Sequence, residues 1–155
     1  MLRRCAPWLL SATVLVICWG CGPRKSVRMH FLSTAATNQG RALPLHVVPV
    51  DAGLKSRLEA MTAESWFVSD DVQTLTGIQK RVLRGAQNEV VQVERINDKN
   101  DFLVIVDFAE IENPDQQKLL IGDKYYQAKD VYVIVDRDRV RIVPKSVYQD
   151  YLKSY

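Results

Sequence analysis

Few residues of this 155-residue chain have types and spacing suited to chemistry. His46 has Asp51 five residues on and serines elsewhere, the raw material of a Ser-His-Asp triad. Nothing in the spacing makes the three converge, and an exposed strand histidine is the favoured reading, as it is for His30. Asp98, Asn100 and Asp101 superficially match a calcium loop, but the Gly at its sixth position and the Glu at its twelfth are missing. A polar β-turn is favoured. Arg137, Arg139 and Arg141 alternate and would share one strand face, where they could hold phosphate; Asp136 and Asp138 beside them favour a charge-balanced hairpin instead. The glycines are scattered singly, so no phosphate loop is present. With only two histidines and no cysteine after Cys21, a structural zinc site is not expected. The residue inventory therefore predicts no enzyme, no metal and no cofactor.

The amino terminus carries a different chemistry. Arg3 and Arg4 precede an uncharged stretch from Cys5 to Pro23, apolar from Trp8 to Trp19 apart from Ser11 and Thr13. This is the basic region plus apolar core of an export signal. The apolar core is about 12 residues, short of the roughly 20 that span a bilayer, and Gly20, Gly22 and Pro23 break the helix beyond it. Cys18-Trp19-Gly20-Cys21 resembles a bacterial lipobox, in which the cysteine after a small residue is acylated and becomes the mature amino terminus. Trp19 and Cys18 depart from the usual small and aliphatic residues. The expected layout is a signal peptide over 1–20, a lipidated linker over 21–25 with Cys21 as lipid site (palmitate among its chains), and a domain over 26–155. An uncleaved signal anchor and ordinary cleaved secretion are the alternatives. Gly22, where retained lipoproteins carry Asp, favours the outer membrane by the same resemblance. Several acyl chains at about 0.8 kcal/mol per methylene would anchor the protein stably.

Length, with 47% apolar and 25% charged residues, describes one ordinary globular domain. The net charge of +3 includes Arg3 and Arg4. What remains after the signal is no footprint for a nucleic-acid binder. Basic residues precede the first acid, Asp51. That leader could lie against anionic lipid or simply aid solubility.

The elements that would position these residues are mostly strands. Ser26 to Ser33 alternates, with Val27, Met29 and Phe31 on one face and Arg28 and His30 on the other. Leu43 to Val50 repeats the pattern, but Pro44 and Pro49 predict an edge strand or one confined between them. Asn38-Gln39-Gly40 is the turn signal between the two. Asp51 can cap a short helix through Leu54, Leu58 and Met61. Trp66-Phe67-Val68 reads as a brief buried stretch. Asp70 or Asp71 can cap another turn or helix through Val72, Leu75 and Ile78. After a turn at Arg84-Gly85-Ala86, Glu89 to Ile96 is a strand. Phe102 to Phe108, apolar on both faces except Asp107, is the central strand. Val131 to Asp136 and Arg139 to Val143 form a hairpin around Arg137-Asp138. Ser146 with Gln149 resembles a capping box opening a helix with Tyr148, Tyr151, Leu152 and Tyr155, whose tyrosines should pack on the sheet. Six or seven short strands with helical inserts predict a mainly β sandwich.

The order of these motifs is similar to that of the TssJ family, the outer-membrane lipoprotein of the type VI secretion system. The resemblance begins at Trp19-Gly20-Cys21-Gly22 and continues through Asn38-Gln39-Gly40-Arg41 and Leu43-Pro44-Leu45-His46-Val47-Val48. Trp66-Phe67-Val68-Ser69-Asp70-Asp71, Val82-Leu83-Arg84-Gly85 and the run from Phe102 to Asn113 follow. It implies a transthyretin-like β-sandwich with short helical insertions, lipid-anchored and facing the periplasm; the short C-terminal helix is read from this chain and is a departure from the family pattern. The implied partner is the periplasmic domain of a TssM-like inner-membrane protein, met through Thr37, Asn38, Gln39, Gly40 and Arg41. No nucleic acid or small-molecule substrate is implied. A pilotin-like lipoprotein escorting a secretin, marked by a peptide groove, and an envelope-binding lipoprotein, marked by a deep apolar pocket, are the alternatives.

Overall fold

The computed structural model describes residues 26–96, 101–125 and 128–154. The export signal, the linker with Cys21, most of the Asp98–Asp101 cluster and Tyr155 lie outside these residues. Eight strands form two sheets of four. They are β1 (Ser26–Ser33), β2 (Leu43–Val50), β3 (Gln79–Leu83), β4 (Gln87–Glu94), β5 (Asp101–Val106), β6 (Lys118–Ile121), β7 (Asp130–Val135) and β8 (Val140–Val143). One sheet has the order β4-β1-β7-β8, the other β3-β2-β5-β6. Every neighbouring pair is antiparallel except β1 and β7, which run parallel. The chain is a mainly β sandwich.

Alternation along the strands builds the core between the sheets. Met29, Phe31, Val133 and Val135 of one sheet pack with Leu45, Val47, Val104 and Val106 of the other, all buried. Two further apolar layers lie outside the sheets. Helices α1 (Ala52–Ala60), α2 (Ala63–Val68) and α3 (Asp71–Thr74) cover the second sheet, where Leu58 and Trp66 pack on Val48, Leu103 and Ile105. That is why β5 is buried on both faces, as its unbroken apolar run predicts. Helix α4 (Lys145–Lys153) covers the first sheet, setting Tyr148 against Leu32, Ile134 and Val143. Tyr148 fills this layer and its hydroxyl donates to Asn88 Oδ1 at 2.8 Å.

Several expectations are corrected. β2 is not an edge strand: it lies between β3 and β5. Both prolines sit where a missing N–H costs little. Pro44 precedes the β2–β5 ladder, which starts at Leu45 and Val106. Pro49 lies beyond the last β2–β3 pair, Val47 and Gln79. Trp66-Phe67-Val68 is helical, opened by Thr62, whose side chain accepts from Ser65 N. Trp66 is buried, but Val68 is 77% exposed. Asp51 caps α1 as expected, Oδ1 accepting from Leu54 N at 2.7 Å, whereas the Asp70 side chain makes no capping bond to α3. α4 has no side-chain cap either; Pro144 stands at its N-cap and Ser146 lies within the helix. Strands β3 and β6 were not legible, each being short and only partly buried.

Candidate functional site

Three connections meet at the end of the sandwich where β1 finishes and β2 starts. The β1–β2 connection contains a tight helical turn, Thr37–Gly40, in which three successive residues are left-handed: Asn38 (φ 48°), Gln39 (φ 56°) and Gly40 (φ 76°). Gly is at ease there and Asn tolerates it, whereas Gln39 costs about 1–2 kcal/mol. Buried and part-buried hydrogen bonds hold the strained turn. Thr37 Oγ1 donates to Val135 O at 2.6 Å and accepts from Thr34 N at 2.8 Å. Asn38 N donates to Arg137 O at 3.1 Å, in the β7–β8 turn. Asn38 Oδ1 accepts from Ala109 N at 2.7 Å, and its Nδ2 donates to Ala42 O at 2.9 Å. Asn38 therefore ties its own loop to the β5–β6 connection and the β7–β8 turn.

The five residues expected at a partner interface thus divide in two. Thr37 and Asn38 are 2% and 4% exposed and hold the turn from within. Gln39, Gly40 and Arg41 are exposed and form its outer surface. Gln39 Nε2 donates to Glu110 Oε2 across a cleft of about 620 Å³. The cleft is lined by Asn38, Gln39, Glu110, Glu112, Arg137 and Asp138, with Ala109 and Ile111 as its apolar members. The 109–112 wall was invisible in the sequence, because only the fold brings it to residue 39.

Both histidines are corrected from exposed to part-buried. His46 Nδ1 accepts from the Trp66 indole N–H at 3.1 Å, and the ring lies 4.7 Å from Phe67. Burial, and after it the Lys80 charge, lower the imidazole pKa to about 4. Asp51, five residues along β2 and so roughly 16 Å away, caps α1 instead of orienting the ring. The triad geometry is absent. His30 Nε2 lies 2.9 Å from Asp130 Oδ1, and Arg28 grips the same carboxylate at 2.8 Å. Burial pushes that carboxyl up, but hydrogen bonds from His30 and Arg28 outweigh it and hold it below the usual range. Arg139 pairs with Asp138 and Arg141 with Asp136, so the arginine row is the charge-balanced hairpin. Among the described residues no group of three or more His, Cys, Asp or Glu is placed to hold a metal, and no helix is long and apolar enough to cross a membrane.

No protein-family model and no curated protein matches the sequence. Solved structures do match its fold. A chain of a structure described as a type VI membrane complex superposes with TM-score 0.67 at 9% identity, over 77% of this chain and 98% of that one. Serratia marcescens Lip, described as a membrane-bound component of the type VI secretion system, gives 0.63 at 12% identity, over 79% and 98%. The Pseudomonas aeruginosa type VI lipoprotein TssJ1 gives 0.58 at 11% identity, over 78% and 96%. The class is thereby defined at the level of fold: a two-sheet β-sandwich similar to those of type VI secretion proteins, lipoproteins among them.

Proposed function

We propose that this chain is a divergent TssJ-family lipoprotein, a non-catalytic scaffold of the type VI secretion trans-envelope complex. Residues 1–20 direct export and are removed, and Cys21 carries the lipid. Residues 21–25 lead from the membrane to the 26–155 domain, which stands on the periplasmic face of the outer membrane. The Thr37–Arg41 loop binds the periplasmic domain of a TssM-like inner-membrane protein.

One observation carries this reading. The fold matches these proteins over nearly their whole length; the motif order along the sequence, similar to the family's, supports it. The strained, pinned loop supports the contact assignment, since held strain concentrates where a surface must be presented in one shape. The apolar pocket under α1, lined by residues such as Leu54, Leu58, Met61 and Trp66, is only about 170 Å³. Ligand sites measure about 300–1,000 Å³, so a soluble-ligand carrier gains no support.

The test is a titration of the full-length protein in detergent with the purified periplasmic domain of the TssM-like protein. Gln39→Ala with Arg41→Ala should weaken binding while leaving the melting temperature unchanged. Asn38 is kept, because its loss would unseat the loop. Unchanged affinity would remove the loop assignment.

A further inference from the structure

The cleft has a wall that the loop assignment does not use. The chain from Asp107 to Gln117 carries Asp107, Glu110, Glu112 and Asp115 and no Lys or Arg. Ile111 is 37% exposed between the two glutamates. Among the described residues no Lys or Arg pairs with Glu110 or Glu112, whereas Asp138 across the cleft is already held by Arg139. Arg137 supplies the opposite sign on that far side. The wall is held on both sides of residues 110–112. Ala109 N is held by Asn38 Oδ1, Phe108 N donates to Gln117 Oε1 at 3.1 Å, and Asn113 Oδ1 accepts from Asp115 N at 2.9 Å. A surface ordered in advance loses little entropy on binding.

We propose that this cleft seats an extended basic segment of the partner, a Lys or Arg side chain taken by Glu110 and Glu112 with an apolar neighbour against Ile111. In the free protein Glu110 accepts only the neutral Gln39 amide. The carboxylate already makes that bond charge-assisted, but a Lys or Arg brings a full opposite charge as well, so an incoming cation competes for Glu110 and frees Gln39 to bond the partner backbone. The interface is then composite: the β1–β2 loop on one side of the cleft and residues 109–112 on the other, held together by Asn38.

This inference rests on the TssM-like reading, and the experiment separates the two. Association of the same periplasmic domain with full-length protein in detergent is followed by stopped flow at low and physiological ionic strength. Glu110→Gln with Glu112→Gln, both exposed and isosteric, should slow association about tenfold at low salt and flatten its salt dependence, as loss of steering charges does. A Glu112→Lys variant should slow it further. If both variants associate like wild type while Gln39→Ala with Arg41→Ala does not, the acidic wall is excluded and the loop reading stands. If none of the variants changes binding, both fall.

Discussion

Asn38 has a demanding position. It occupies left-handed backbone, is buried, and its side chain satisfies Ala109 N and Ala42 O. Asn38→Ala removes both bonds, leaves a backbone N–H unsatisfied and adds strain, since Ala tolerates left-handed backbone less well than Asn, so it should cost about 2–4 kcal/mol in urea unfolding. Asn38→Asp keeps the acceptor for Ala109 N and should lose less. Equal losses for the two variants would mean that the Ala109 bond is not what holds the turn. His46 gives a pH signature. Its folded pKa of about 4 lies below the ordinary 6.5, so between those values the unfolded chain binds a proton that the folded chain does not. Stability should be flat above pH 6.5, fall as pH drops towards 4, and lose about 3 kcal/mol at most. The direction fits the geometry, since the Trp66 indole needs an unprotonated Nδ1. In His46→Gln, denaturation midpoints across this window should lose most of that slope. Sequence alone exposed the type of both residues but not their surroundings. The partners of Asn38 lie 71 and 99 positions away in Ala109 and Arg137, and no local pattern encodes such pairings.

Among the elements, those with a strong period were legible and those defined by their neighbours were not. β1 alternates and formed where expected, and β5, apolar from Phe102 on, formed one residue earlier and ends at Val106, short of the expected Phe108. Pro44 and Pro49 predict for β2 an edge strand or one confined between them, because proline removes a ladder donor; β2 is central and runs through both, since each proline sits just past the end of the ladder it would interrupt. β3 and β6 have five and four residues, too few to show a period. α2 shows the same limit, because Trp66-Phe67-Val68 has no period of its own and takes its helical form from the Thr62 cap and the sheet beneath. Capping was readable where the acceptor stands at the N-cap. Asp51→Ala should cost about 1 kcal/mol by loosening α1, whereas Ser146→Ala should cost almost nothing, because Ser146 caps nothing. Thermal unfolding of the two variants side by side checks this. A loss at Ser146 as large as that at Asp51 would contradict the assigned caps.

For the whole molecule, the fold class and the family resemblance were legible, because a sandwich follows from many short alternating strands. The composite surface was not, since it exists only when loops from both sheets meet. The proposed anchor acts at this scale too. Cys21→Ser should abolish acylation and move the protein from the membrane to the soluble periplasmic fraction, read by labelled palmitate and fractionation. Retention of label would place the lipid elsewhere. The central claim is that this sandwich bridges the outer membrane to an inner-membrane partner. Its most direct test is purification of the full-length protein in detergent from its native cells, with co-purifying proteins identified by mass spectrometry. The expected result is a large inner-membrane protein with a periplasmic domain, diminished when Gln39 and Arg41 are replaced. Recovery of a secretin in its place, or of the same inner-membrane protein in undiminished amount from the variant, would contradict the account.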